Sequence, residues 1–406
     1  MTAAISAARQ GAEVIILEHM DRVGKKILST GNGKCNYTNK KQGLRHYRGE
    51  NPAFVLPVLE QFGFKETISF FRELGIVPKE RDDYFYPASG QASSVLDVLR
   101  MELRRLSVEI RTQTALISVR KRKNDFEIKT NQGTLFADRC IFACGGRAFP
   151  KSGSDGSAFP YIEKLGHTFI DMVPALVQMK AKQSYFKSIA GIRAEISIQL
   201  YINRHRICQD KGEIQLTKDG ISGIPAFQVS RFAAKALQNR QTVQAILDFV
   251  PYLSKEELYL ELKERFSRKD GKTAEEALIG FFSKKLIPVF LKENRIAVHE
   301  TAEKISLSKL KTLSEYLKHV TVDLTDTEGF EKAQTSAGGV NTAEINAETL
   351  ESYLVPGLYF AGEVIDIDGM CGGYNLQWAW SSGYVAGMHA AENGCFSKKI
   401  WQEAQL

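Results

Sequence analysis

The chain is 406 residues long, 43% hydrophobic and 25% charged, with a formal net charge of +7, a size and apolar content that predict a globular protein of two or three domains. It has no apolar run of about eighteen residues, and its start, MTAAISAARQG, lacks the charged lead and apolar stretch of a secretory leader, so a cytoplasmic location without a membrane partner is expected. Its 54 Lys and Arg are spread among 47 Asp and Glu with no aromatic-interleaved motif, which predicts a solvated surface, or an anionic cofactor or substrate, in place of a nucleic-acid groove.

Residues 2–10 are rich in alanine, and Gly11 follows where a helix C-cap belongs, so the opening reads as a helix packed tightly on a sheet. Residues 12–18 (AEVIILE) form a short β-branched run ending in an acid, the pattern of a buried parallel strand in the second half of a βαβ unit. In dinucleotide-binding folds that terminal acid accepts hydrogen bonds from ribose hydroxyls, which assigns Glu18 as a ribose ligand. The first strand of such a unit and its GxGxxG turn belong immediately before Met1, so the start is expected to be an internal methionine.

Next comes a glycine-punctuated, cationic segment: Lys25, Lys26, Thr30, Gly31, Asn32, Gly33, Lys34, Cys35 and Asn36. Its glycines let backbone approach a planar or phosphorylated ligand, and its lysines pair phosphate oxygens. Apolar spacing predicts scaffold helices over 54–74 and 95–106, and alternation predicts strands over 112–120, which holds the candidate cofactor contact Leu116, and over 125–130. Residues 138–146 run as an apolar strand into paired glycines, so Ala143, Gly145 and Gly146 suit backbone passing beneath a nucleotide.

Beyond Pro150, Ile196, Ile198, Leu200 and Ile202 alternate with polar residues, and 213–217 is strand-like again, which predicts an antiparallel module. Residues 235–319 read as helical, with Leu258, Leu262 and Phe266 at helical spacing. The six cysteines (Cys35, Cys140, Cys144, Cys208, Cys371, Cys395) contain no CxxC pair, and the seven histidines show neither HExxH nor a close cluster. Reduced thiols and no metal site are expected.

The most informative stretch is 357–387, GLYFAGEVIDIDGMCGGYNLQWAWSSGYVAG: a buried strand, an acidic turn, paired glycines and a small-residue helix. In flavin folds an acid after the last sheet strand bonds the ribitol, and the next helix N-terminus stabilises negative charge on the pyrimidine ring. Gly362, Glu363 and Asp366 suit the first role, and Gly373, Asn375 and Leu376 the second. Trp378 and Trp380 are expected to pack the core. The predicted fold is therefore α/β, a discontinuous two-dinucleotide-type Rossmann FAD-binding domain (1–150 and 330–406). Into it are set a β-rich substrate-side module (151–234 and 320–329) and a helical subdomain (235–319).

The chain resembles the BaiN-like family of FAD-dependent oxidoreductases through TGNGKCN (30–36), ACGG with FPKSGSDG (143–156), TSAGGV (335–340) and the run from Gly362 to Gly387. These motifs span nearly the whole chain and look closest to the clostridial branch. Two departures, the missing GxGxxG and TKDGISGIPA (217–226) where many relatives carry TH followed by GxSGPA, bear on FAD affinity and on substrate contacts.

The resemblance implies FAD as cofactor and hydride transfer through flavin N5. Family members include a 3-dehydro-bile-acid reductase and an aminoacetone oxidase, so reduction of a conjugated 3-oxo steroid or bile acid is the expected activity. If NADH or NADPH is the donor it is expected to dock transiently without a Rossmann domain of its own, because no second GxGxxG lies between Gly146 and Gly338. The alternatives are an amine oxidase using dioxygen, and a non-catalytic nucleic-acid-binding protein on a nucleotide fold. No residue declares itself the catalytic acid; Tyr374, Tyr86 and His299 are candidates by type. The expected partner is a small-molecule substrate, with neither nucleic acid nor membrane.

Overall fold

The Thr2–Arg9 helix is buried along Thr2, Ala3, Ala4, Ile5, Ser6 and Ala7, and Gly11 beyond it sits at φ +90°, the left-handed conformation that closes a helix end. Its small residues permit close approach by the Tyr374–Glu392 helix: a Cβ on Gly387 of that helix would overlap the carbonyl oxygen of Ala3. The two sequence-distant segments are thus joined helix on helix. This computed structural model describes residues 1–392; Cys395 and the last part of the 330–406 segment lie outside the described residues.

Two compact units form, Met1–Met172 with Gln334 onward, and Val173–Ala333. In the first, Ile15–Leu17 pairs in parallel with Glu109–Arg111, and Cys140–Phe142 pairs in parallel with Leu358–Phe360. Parallel partners need a crossover, and the amphipathic Ala92–Arg105 helix, with Val95, Leu96, Leu99 and Leu103 buried, precedes Glu109–Arg111. Ile15–Leu17 is half-buried, less than its apolar run predicts, because among the described residues it has a strand on one edge only. Leu116–Lys121, Phe126–Thr130 and Gly133–Ala137 form an antiparallel sheet whose third strand the alternation did not reveal. The helix expected over 54–74 breaks at Phe62–Gly63 into Val55–Gln61 and Phe64–Glu73, and Glu66 Oε2 accepts the Gly63 N–H at 3.0 Å.

The second unit is a closed barrel in the order Met179–Ala181, Gly220–Gly223, His205–Thr217, Arg193–Ile202, Val243–Asp248 and Val320–Thr327. The alternation is confirmed at Ile196, Ile198 and Leu200, all fully buried, while Ile202 at the strand end is half-buried. Helices Lys255–Ser267, Ile287–Glu293 and Leu307–Lys318 cluster with the barrel in one core, and barrel and helices fall in a single unit. Val243–Asp248 lies inside the stretch predicted to be helical; Val243, Ala245 and Leu247 point inward at a period of two, over too few residues to stand out between helices. Among the described residues no helix is long and apolar enough to cross a membrane, and Cys35, Cys140 and Cys144 are free thiols.

Candidate cofactor site

The 30–36 turn is built by its residue types. Thr30 Oγ1 donates to the Ile27 carbonyl at 2.6 Å as the Lys25–Ser29 helix ends. Gly31, Asn32 and Gly33 then all take left-handed φ values (54°, 53° and 82°), a path open to glycine and tolerated by asparagine. Cys35 carries the chain inward, its N–H bonded to the Thr30 carbonyl at 3.1 Å. Burial pushes its thiol up to about 11, so it packs as a neutral group. Asn36 follows, 9% exposed, and its Oδ1 has no hydrogen-bond partner. A buried amide oxygen left this way is costly, and it marks a place where a donor from outside the protein belongs.

Against this turn lies the start of the Tyr374–Glu392 helix. Only glycine fits at 373, at φ +93°, because a Cβ would come within 2.8 Å of the Thr38 carbonyl carbon and 3.0 Å of Asn36 Oδ1. Four side-chain bonds hold the approach: Thr38 Oγ1 to Gln377 Oε1 (2.5 Å), Asn39 Nδ2 to the Gly372 carbonyl (3.1 Å), Trp380 Nε1 to the Tyr37 carbonyl (2.9 Å) and Gln377 Nε2 to Thr67 Oγ1 (2.8 Å). The first helical bond here runs from the Gln377 N–H to the Gly373 carbonyl, so the N–H groups of Tyr374, Asn375 and Leu376 have no acceptor within the helix and carry its positive end. Asn375 serves through that backbone, since its amide is spent on Gly369, accepting from its N–H and donating to its carbonyl, each at 2.8 Å. Leu376 is half-buried.

A second cluster joins the paired glycines to the acidic turn. Ser336 Oγ accepts the N–H groups of Arg147 (2.8 Å) and Ala148 (3.0 Å), and Glu363 Oε1 accepts the Ser336 N–H (2.9 Å). Lys26 Nζ donates to the Ala148 carbonyl at 2.7 Å and stands 4.0 Å from Glu363 Oε2. A Cβ on Gly146 would lie 2.6 Å from Ser336 Oγ and 2.7 Å from Glu363 Oε1, so any larger residue would have to displace the hydrogen-bonded Ser336 and Glu363 side chains. Beside Gly145, Ser154 Oγ is a second buried oxygen without a partner. Ser336 and Ser154 lie within TSAGGV and FPKSGSDG, where sequence alone assigns them no role; their signal is a small polar residue in an otherwise apolar or glycine-rich strand or turn.

The remaining candidates are placed as follows. Glu18 follows the Ile15–Leu17 strand with Oε1 accepting the Met20 N–H at 2.9 Å, and its carbonyl accepts from the Thr114 N–H, close in sequence to the half-buried Leu116. Lys25 pairs with Asp21, Lys34 is exposed, and Ala143 is exposed just past its strand. Gly362 donates its N–H to Ser382 Oγ at 2.8 Å and accepts from the buried Trp378 indole at 3.1 Å, so both tryptophans serve the core. Asp366 is wholly buried, and its Oδ2 accepts the Glu50 N–H at 2.8 Å.

Of the candidate acids, Tyr374 stacks on His46 with centroids 4.4 Å apart, and burial pushes its phenol up to about 12. His46 Nε2 accepts from Arg45 Nε at 3.0 Å, so its proton sits on Nδ1; burial and then the cations Arg45, Arg48 and Lys41 hold it below the ordinary histidine range. Tyr86 lies on the Tyr84–Pro87 strand, its phenol raised by burial, and His299 belongs to the barrel unit. Two orphaned buried oxygens, a glycine-lined cradle and an uncapped helix start fit an elongated cofactor with a polar ring edge and phosphates.

Residues 1–389 match the family described as HI0933-like protein Rossmann domain. The chain is 43% identical over 394 residues to the 3-dehydro-bile acid delta(4,6)-reductase of Clostridium scindens, covering 97% of this chain and 96% of the relative. It is also 29% identical to the ribosomal RNA dihydrouridine synthase of Haemophilus influenzae (95% and 94% covered) and 26% identical to that of Escherichia coli (93% and 92%). The chain belongs to the HI0933-like family of FAD-dependent Rossmann proteins and is a flavin-dependent oxidoreductase.

Proposed function

We propose that this HI0933-like protein reduces a C=C bond conjugated to the ketone of a 3-oxo steroid or bile acid, with NADH or NADPH as electron donor. The observation that carries the reading is the convergence of Asn36 and the uncapped start of the Tyr374–Glu392 helix, with Gly373 between them. The 43% identical reductase supports the choice of substrate. In such a reduction the β-carbon receives a hydride and the α-carbon a proton, and FAD, when bound, supplies the hydride.

The chain's own residues then have distinct tasks. The N–H groups of Tyr374, Asn375 and Leu376 stabilise negative charge at the cofactor's ring edge, and Asn36 Oδ1 accepts a ring N–H. Glu363, held by Ser336 and Lys26, takes ribityl hydroxyls; Gly145, Gly146 and Ser154 line the same stretch. Glu18 takes ribose hydroxyls, with Leu116 and Ala143 along the nucleotide, and the 30–36 turn with Lys25, Lys26 and Lys34 offers N–H groups and positive charge to phosphate. Gly362 leaves its surroundings open to the ligand, and Asp366 fixes the turn behind it. The Val173–Ala333 unit is assigned to substrate recognition, and the enzyme to the cytoplasm.

The test is anaerobic reduction by NADH or NADPH followed by addition of a 4-ene-3-oxo steroid. Loss of the enone absorbance together with flavin reoxidation is expected; reduced flavin that leaves the enone untouched rejects this substrate.

A second reading is favoured by the similarity to the two dihydrouridine synthases. The reduced bond is then C5=C6 of a uracil in ribosomal RNA. It too is an alkene conjugated to a carbonyl, so the same delivery of hydride to the β-carbon serves both readings.

A further inference from the structure

One end of the barrel carries arginines that no ion pair among the described residues answers. The hairpin joining Arg193–Ile202 to His205–Thr217 turns through Asn203 and Arg204, both left-handed at φ 48° and 68°. Asn203 donates its N–H to the Thr242 carbonyl (2.9 Å), and its Oδ1 accepts the Thr242 N–H (3.1 Å). These bonds draw in the turn before Val243–Asp248, where Arg240 is left-handed at φ 57°.

Arg204, His205, Arg206 and Arg240 are all exposed, and among the described residues none forms an ion pair. Neither 201–209 nor 236–244 contains an Asp or Glu. Acids on neighbouring strands are engaged elsewhere: Asp323 accepts the amides of Gln183 and Gln244, Asp326 pairs with Lys180 at 3.7 Å, and Asp210 accepts the Lys211 N–H. A two-residue hairpin takes left-handed φ at both central positions, and Arg240 closes the end of the Ile224–Gln238 helix, so ordinary turn geometry fixes where these arginines leave the surface.

We propose that this arginine-tipped end of the barrel docks the phosphate backbone of RNA. Guanidinium forks match phosphate oxygens two bonds at a time. The exposed amides of Asn239 and Gln241 add donors and acceptors suited to ribose 2′-hydroxyls. A lipid surface is the poorer match, because Ile207 is the sole exposed large apolar side chain in these two stretches, and interfacial binding needs an apolar face. The inference deepens the nucleobase reading and rests on it.

The experiment measures anisotropy of a labelled 20-nucleotide single-stranded RNA against the whole flavin-loaded protein across a salt series. The variant Arg204→Asn/Arg206→Gln/Arg240→Asn removes the charge while placing asparagine, which tolerates left-handed backbone, at the two positions that adopt it. Its affinity should fall at least tenfold at low salt, and its log-log salt slope should shrink by about 2, three contacts at ~0.7 each. A charge-matched variant, Lys263→Gln/Lys284→Gln/Lys311→Gln, should stay within about twofold of the parent. Equal losses in both variants, no RNA binding by the parent, or arginine-dependent binding to phosphatidylserine vesicles without RNA binding overturns the proposal. Uridine reduction is scored separately: RNA held by the arginines but left unreduced supports the docking surface and counts against the nucleobase reading.

Discussion

The two units differ most in what they bury. In the Val173–Ala333 unit the buried polar side chains among the described residues are Ser230, Arg231, Ser314 and Thr327, set in an aliphatic and aromatic core. The other unit buries Asn36, Thr38, Ser154, His167, Ser336, Asp366, Gln377, Ser381 and more. A buried polar group is tolerated only with partners, and most of these have them; Asn36 Oδ1 and Ser154 Oγ do not, and both lie against the candidate cofactor site. The contrast separates a unit stabilised by apolar packing from one whose interior is wired to position backbone around a ligand.

Mutations should therefore act on different observables in the two units. The largest effect on stability is expected at Leu247→Ala, where a fully packed barrel side chain (1% exposed) leaves a cavity costing about 2–5 kcal/mol. Urea unfolding should show that loss while flavin content at low temperature stays near the parent's. Gly146→Val should do the reverse. Its side chain collides with Ser336 Oγ and Glu363 Oε1, and flavin absorbance per folded chain should drop at least tenfold, ~1.4 kcal/mol or more.

A smaller change is expected at Glu363. Glu363→Gln removes the charge facing Lys26 but keeps an oxygen for the Ser336 N–H, so FAD affinity measured by fluorescence titration should weaken about threefold to tenfold, and Glu363→Ala by more. Glu18→Ala should also lower occupancy.

The subtlest test uses pH. His167 sits between Glu344 Oε2 at Nδ1 and Ser352 Oγ at Nε2, each at 2.9 Å. Ser352 Oγ already accepts the Leu354 and Val355 N–H groups, so its O–H donates and the histidine is neutral. Burial holds His167 below its ordinary 6.5 against the pull of Glu344. As pH falls below about 6.5 the unfolded chain takes up the proton first, so stability present above that pH is lost below it, levelling off beneath the folded value. His167→Gln should flatten this dependence in melting curves; an unchanged slope assigns it to other groups.

Much of the cofactor unit was legible because its demands are local. Glycines in TGNGKCN report left-handed backbone, Gly146 reports a close approach, and Glu363 follows a strand end where such acids belong. What escaped depends on residues far apart in the chain. That Asp366 anchors the Glu50 N–H and that Gln377 ties Thr38 to Thr67 are products of tertiary packing. The barrel's Val243–Asp248 strand escaped for another reason: six residues of alternation between helices carry too little periodicity to be read alone.

The central claim is that the 30–36 turn, the 145–146 glycines and the start of the Tyr374–Glu392 helix together hold one FAD. Its most direct test is the flavin stoichiometry of the folded protein after equilibration with excess FAD and removal of the free cofactor. Close to one FAD per chain, falling sharply in Gly146→Val, is the predicted result. A folded protein that takes up no flavin, or a Gly146→Val variant that retains it fully, contradicts the account.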